Sequence, residues 1–262
     1  MAKTILLTGA TDGLGALAAQ MLAEQGHHLL LHGRRQARLD EMVQDLSAQT
    51  RVTSYRCDLS SLRDVARMAD EIAANHQQID VIINNAGVLK AEQTKTNEGL
   101  ELRFAVNTIA PYLLTKKLLP SLPKGARVVS LSSAAQRPVD LDYLRAFGEM
   151  DDMNAYAQSK LAITSWSRQM ALADATRVYV SVNPASLLGT KMVKQGFGIE
   201  GADISVGADI ICRAALSDAF AEASGLYYDN DAKSFSAPHE DALNDAIGQD
   251  IIAIMDGVLA RL

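Results

Sequence analysis

Tyr156 and Lys160 stand four residues apart in the run Ala155-Tyr156-Ala157-Gln158-Ser159-Lys160. On a helix that spacing puts both side chains on one face, a turn apart. A phenol then meets a fixed ammonium. A free tyrosine titrates near ~10 and shuttles protons poorly at neutral pH. A neighbouring cation favours the phenolate and brings the pKa towards the working range, as general acid/base chemistry requires. Many tyrosine–lysine pairs share a helix face without reacting, so this one gains meaning only from the elements that hold it.

The first such element is at the start of the chain. Lys3 to Thr8 is a short apolar, β-forming run, and Gly9-Ala10-Thr11-Asp12-Gly13-Leu14-Gly15 follows it directly. Leu14, Leu17, Ala18, Met21 and Leu22 then recur with helical period, and Gly26 ends the helix. A strand, a glycine turn and a helix start can hold a dinucleotide pyrophosphate. The glycines let the backbone come close, and the helix end offers free N–H groups and a positive dipole. The spacing is G-x-x-x-G-x-G and not the generic G-x-G-x-x-G; the bland alternative is a glycine turn joining a strand to a helix.

The same context chooses between cofactors. An NAD site places an acid about 20 residues on, against the ribose 2′-hydroxyl, whereas an arginine there accommodates a 2′-phosphate. Here the second strand, His28 to His32, runs into Gly33-Arg34-Arg35, and no acid follows until Asp40. A guanidinium grips phosphate with a planar fork, so NADP(H) is expected before NAD(H). The competing reading makes Arg34 and Arg35 solvated charges at a helix start. Asp12, an acid within the glycine loop, would lie near that phosphate.

Asn84-Asn85-Ala86-Gly87 follow an apolar strand at 79–83, Asn107 lies in a long helix, and Ser132-Ser133 follow a strand at 127–131. Taken with Thr8-Gly9-x-x-x-Gly13-x-Gly15 and Tyr156-x-x-x-Lys160, the chain resembles the short-chain dehydrogenase/reductase family from Lys3 to about Thr190. The resemblance implies an NADP(H)-dependent oxidoreductase that moves hydride between nicotinamide and a carbonyl or alcohol. It implies a role for each matching residue. Tyr156 would be the general acid/base. Lys160 would lower its pKa and hold the nicotinamide ribose. Ser133 would hydrogen-bond the reacting oxygen, and Asn107 would complete a proton relay through water. Asp58, with Leu59, would contact the adenine edge, and Asn85, Ala86 and Gly87 would line the adenosine side. Gly9, Thr11, Asp12, Gly13, Leu14, Gly15 and Pro184 complete the expected cofactor contacts.

Two departures stand out. Ala134 to Ala155, 22 residues, separate the serine from the tyrosine, an insert resembling the retinol-dehydrogenase-like branch. Pro184-Ala185 replaces the family's Pro-Gly, which bears on the loop beside the nicotinamide.

Apolar strands near 4–8, 28–32, 52–56, 79–83, 127–131, 178–182 and 225–228 alternate with helical segments, and no linker divides them. Alternation implies parallel strands joined by right-handed crossovers. The expected fold is therefore a single α/β domain over 1–262, a Rossmann-type doubly wound parallel sheet of about seven strands with helices on both faces. A net charge of −6 argues against nucleic acid as a partner, which calls for a clustered basic surface. No apolar run reaches the ~18 residues of a membrane span, and no signal peptide precedes the first strand. Two cysteines suit a reducing compartment, and the five histidines show no metal-ligand spacing. A cytoplasmic chain with a small-molecule substrate, no metal and no membrane partner is the expectation.

Residues 186–204 hold Leu187, Leu188, Met192, Val193, Phe197 and Ile199 among glycines, the composition of a lid that closes over substrate. With Leu144, Phe147, Met150 and Met153 of the insert, it would form an apolar pocket for a medium-sized ketone, aldehyde or secondary alcohol. The alternative is that these side chains only pack on their own domain. A helix expected over Asn97 to Leu119, apolar on more than one face, points to a homodimer or homotetramer. Pro238-His239-Glu240 is expected to begin a last helix with no chemistry in it. Two other functions fit the same fold. One is a catalytically silent NADP(H)-binding sensor, which would have no need of Asn107, Ser133, Tyr156 and Lys160 together. The other is an epimerase or dehydratase, which would call for a larger C-terminal substrate domain.

Overall fold

The computed structural model describes residues 1–262. Strands β1 (Thr4–Leu7), β2 (His28–Gly33), β3 (Val52–Arg56), β4 (Val81–Asn84), β5 (Arg127–Leu131), β6 (Val178–Asn183), β7 (Tyr227–Asp229) and β8 (Ser234–Ser236) form one sheet. Its order is β3-β2-β1-β4-β5-β6-β7-β8, parallel throughout except for the antiparallel β7–β8 pair. The central strands β1, β4 and β5 are mostly apolar and buried because both of their faces are covered. Within β1, Leu6 joins one buried cluster while Ile5 and Leu7 join the other.

One face carries α3 (Leu62–Asn75), α5 (Ala110–Leu118), α7 (Asp152–Ala173) and α10 (Asp245–Leu259); the other carries α1 (Gly13–Glu24), α2 (Gln36–Leu46) and α9 (Ser205–Leu216). The chain leaves β1 towards β2 on one side and β4 towards β5 on the other. Between the carboxyl ends of β1 and β4 this opens the crevice where such sheets bind ligands. No helix is long and apolar enough to cross a membrane.

Several expectations need correction. The sheet has eight strands: β8 is three residues, Ser-Phe-Ser, with one apolar side chain, too short to show a period. It is held as Phe235 packs against Phe220 and Tyr228. The last parallel strand begins at Tyr227, after Gly225 turns with φ +79°. The helix expected from Asn97 starts at Leu102. Gly99, at φ +78°, makes a turn there, and the Glu98 carboxylate caps α3 by accepting from the Leu62 and Arg63 amides. Leu100, Phe104, Ile109 and Leu114 are buried within the one chain, so the doubly apolar helix carries no argument about a second copy. The final helix starts at Asp245, capped by Asn244, after a tight turn at Glu240–Leu243.

The long helix is also not uniform. Leu102–Phe104 (α4) is α-helical, Ala105–Ile109 is a single π turn, and α5 follows. Four residues beyond Asn107 stands Pro111, which lacks the N–H an α-helix would bring to the Asn107 carbonyl. The wide turn places Asn107 at its centre. Inserted residues of this kind recur at functional sites.

The lid residues, 186–204, contain a short helix, α8 (Lys191–Phe197), N-capped by Thr190. None of its residues is buried. At the base of this segment Ala185 sits at φ +117°, so the loop keeps the shape a glycine would allow while carrying a methyl group. The tail holds it there: Asn230 Nδ2 donates to the Pro184 carbonyl (3.0 Å), and the Ser186 amide donates to Asp231 (2.9 Å). A non-glycine residue in that region costs about 1–3 kcal/mol. Ala185→Gly is therefore expected to stabilise the protein by roughly 1 kcal/mol after glycine's own entropic penalty, raising Tm by about 2–4 °C. A lower melting temperature would show the backbone there to be unstrained.

Candidate active site

Lys160 anchors the site. Helix α7 runs beneath the sheet with almost every residue from Ala155 to Gln169 buried, so the Lys160 ammonium is carried into the interior, 4% exposed. Its Nζ donates to the Leu131 carbonyl at the end of β5 (2.6 Å) and pairs with no carboxylate. Nζ lies 5.6 Å from the centre of the Tyr156 ring. Burial lowers its pKa to about 8.

The half-buried Tyr156 lies one turn back. Burial raises its pKa, and a hydrogen bond with the Ser133 hydroxyl pulls it the other way. The sequence led us to expect a phenol brought down by its lysine. Burial weighs against both charged forms. The phenol is thus held protonated and ready to act as an acid. Ser133 Oγ accepts from the Ala135 amide (3.1 Å), which leaves its own proton free to be donated. Tyr156 and Lys160 share one face of α7, as their spacing implied, and Ser133 meets them through its hydrogen bond with Tyr156.

Asn107 is placed beside them. Its fully buried side chain donates from Nδ2 to the Val88 carbonyl (2.9 Å) and to Ser159 Oγ (3.0 Å), and Oδ1 accepts from the Val88 amide (2.8 Å). Every donor is engaged. The side chain therefore fixes the loop after β4 and docks the π turn on α7, where Ser159 Oγ donates to the Tyr156 carbonyl (2.7 Å).

The glycine turn after β1 is tightly built. Gly9 and Gly13 take φ of +66° and +52°. A Cβ on Gly15 would run into the Gly9 carbonyl and stand 2.6 Å from Asn85 Nδ2. Asn85 ties the turn to β4 by donating to the carbonyls of Thr8 (2.9 Å) and Gly9 (3.2 Å), while Thr8 Oγ1 accepts from the Ala86 amide (3.1 Å). Thr11 packs on Gly33, leaving no room for a side chain there. Across the crevice, a Cβ on Gly87 would stand 3.5 Å from Asn107 Oδ1 and 3.6 Å from Lys160 Nζ and from Met192 of α8.

Arg34 and Arg35 are exposed and make no ion pair. Asp58 accepts from the Ser60 amide (2.9 Å), and the Leu59 side chain is core. Leu14 flanks the same cradle, packed on the edge of the core beside Gly207.

Asp12 accepts from the Gly13 amide (2.9 Å) and pairs with Lys191 of α8. Although partial burial opposes it, that pairing holds its carboxyl below the usual range. The acid near the phosphate site is thus neutralised by a lysine of the lid segment.

Sequence reasoning missed four supporting residues. His32, 2% exposed, accepts the Gly9 amide at Nδ1 (3.2 Å) and donates from Nε2 to the Cys57 carbonyl (3.1 Å). Burial keeps it neutral, with a pKa about 4. It links the glycine turn to the end of β3; a lone histidine in a strand gave no sign of this. Lys191 and the Gln136–Tyr227 pair were missed because their partners lie far away in sequence. The expected apolar pocket is also thinner than the composition suggested. Leu144 and Phe147 belong to the core around Phe104, and Met150 instead lines a polar cleft of about 530 Å³ with Arg103 and Tyr143.

The model of the family described as short chain dehydrogenase matches residues 3–197. The chain belongs to the short chain dehydrogenase family. Among curated members it is similar to retinol dehydrogenase 13 of Mus musculus, 32% identical over 177 residues, 64% of this chain and 53% of that protein. It is also similar to the polyprenol dehydrogenase of Homo sapiens, 30% identical over 209 residues, 74% of this chain and 63% of that protein. These relatives agree with the branch suggested by the long serine–tyrosine insert. The chain spans about half the length of the retinol dehydrogenases it matches. In fold, this short chain dehydrogenase resembles an uncharacterized protein from Mycobacterium Paratuberculosis (TM-score 0.80, 24% identity, covering 98% of this chain and 92% of the other). It likewise resembles the Pseudomonas aeruginosa RhlG/NADP active-site complex (TM-score 0.70, 22% identity, 87% and 94% covered).

Proposed function

We propose that the chain is an NADP(H)-dependent oxidoreductase reducing a medium-sized apolar carbonyl, or oxidising the matching alcohol, with Tyr156 as acid/base. The observation that carries this reading is the convergence of Tyr156, Ser133 and a buried, carboxylate-free Lys160 beside Gly87. The glycine cradle, with Arg34 and Arg35 at its far end, fits a phosphorylated dinucleotide. A bound nicotinamide supplies or accepts the hydride. The residues of the chain do the rest. Ser133 donates a hydrogen bond to the substrate oxygen as its charge develops. Tyr156 gives that oxygen its proton, and Lys160 stabilises the phenolate left behind. Met192 and the apolar residues of the lid segment would cover the substrate and exclude water. Support for an apolar substrate comes from relatives named for retinol and polyprenol.

Two experiments follow. Fluorescence titration should show tighter binding of NADPH than NADH, and replacing Arg34 and Arg35 by Ala should erase a preference of roughly tenfold or more, the value of a lost charge-assisted contact. On NADPH, kcat/KM across straight-chain aldehydes from butanal to decanal should rise about fourfold per added methylene. Equal affinity for both cofactors, or a flat chain-length series, would remove the corresponding part of the reading.

A third experiment concerns Lys160. Its pKa lies below the ordinary lysine value, so it is charged below about pH 8 and neutral above. For aldehyde reduction, kcat/KM should be level between pH 6 and 7 and fall as pH rises through about 8. Lys160→Met should be slow and flat over that range. It should also melt higher at pH 7, because the native state holds this proton at a cost of about 3 kcal/mol there. An unchanged pH profile in Lys160→Met would contradict the assignment.

A further inference from the structure

We propose that Tyr227, acting with Gln136, is a positioning residue: the C-terminal strand braces the Ser133 peptide so that its hydroxyl stays in register with Tyr156. The proposal rests on the reading of Ser133 given above. Ser133 lies just past β5, in a stretch without helix or strand from Ser132 to Asp140, so the sheet alone does not fix it. Its carbonyl is gripped twice, by the Tyr227 hydroxyl (3.1 Å) and by Gln136 Nε2 (3.0 Å). Gln136 cannot turn its amide over, because Oε1 accepts from the His239 amide (3.1 Å). That bond sends the NH₂ group towards Ser133.

Two further features make this more than a buried tyrosine finding a partner. Tyr227 and His239 lie beyond the residues 3–197 that match the family model, so the grip comes from a part of the chain outside the shared motifs. Tyr227 is also kept a donor: burial, with Asp229 and Asp231 nearby, pushes its phenol up and outweighs the contact with Gln136. Since Ser133 Oγ is held on its acceptor side by the Ala135 amide, fixing the peptide fixes where the serine proton points. Small displacements of such a group are costly in rate.

The test is a double-mutant cycle with decanal and NADPH, using Tyr227→Phe, Ser133→Ala and the two combined, together with hydrogen exchange at the Ala135 amide. Tyr227→Phe keeps the ring and loses one hydrogen bond. It should lower kcat roughly five- to tenfold, leave the KM for NADPH unchanged, and speed exchange at Ala135. Added to Ser133→Ala it should cost nothing more, because its effect passes through the serine. Gln136→Leu should repeat the pattern. Full additivity, or unchanged kcat and unchanged Ala135 exchange in Tyr227→Phe, would overturn the proposal. An unimpaired Ser133→Ala would instead remove the role given to Ser133, and an aldehyde that is not turned over would count against the proposed function. In both cases the exchange measurement still decides whether Tyr227 pins the peptide.

Discussion

A single buried cation organises this molecule. Lys160 carries its ammonium into the interior with one hydrogen-bond partner, the Leu131 carbonyl, and no opposing carboxylate. An uncompensated charge in such a place is expensive, and its depressed pKa records that cost. Natural sequences accept this kind of penalty where function requires it. The phenol one turn away supplies the reason: as a phenolate it would carry negative charge that the lone ammonium can stabilise.

The rest of the structure keeps that arrangement rigid. The doubly wound sheet brings the ends of β1, β4 and β5 to one crevice. Helix α7 spans the sheet beneath it and is locked to the π turn through Ser159. Thr8, Asn85 and His32 fasten the glycine turn to its neighbours and hold its backbone in place. From the other side, the last 40 or so residues clamp the base of the lid segment through Asn230 and Asp231 and hold Ser133 through Tyr227 and Gln136. Preorganisation of this sort lets polar groups act without moving first.

Much of this was legible in the residues themselves. Apolar runs alternating with helical period gave seven of the eight strands, Tyr156 and Lys160 met as their spacing required, and Ser133 joined them where the family resemblance put it. The failures share a physical origin. Strand β8 has one apolar residue, too few to make a pattern. The π turn depends on Pro111 denying an N–H four residues back, a local conflict hidden within a good helical sequence. Leu144 and Phe147 have the composition of a pocket but pack against Phe104, and composition alone cannot tell a lining from a core. His32, Lys191 and Tyr227 act through partners distant in sequence. The pKa of Tyr156 moved opposite to expectation because spacing reports a neighbour's charge and not the desolvation that accompanies it.

The most direct test of the central claim is the activity of Tyr156→Phe, which deletes one oxygen and keeps the ring that packs in the site. The account predicts that this variant binds NADPH as the parent does, yet loses at least roughly a thousandfold in aldehyde reduction, within the range of a missing general acid. Turnover within a few fold of the parent, with cofactor binding intact, would mean that the phenol beside the buried ammonium does not carry the proton.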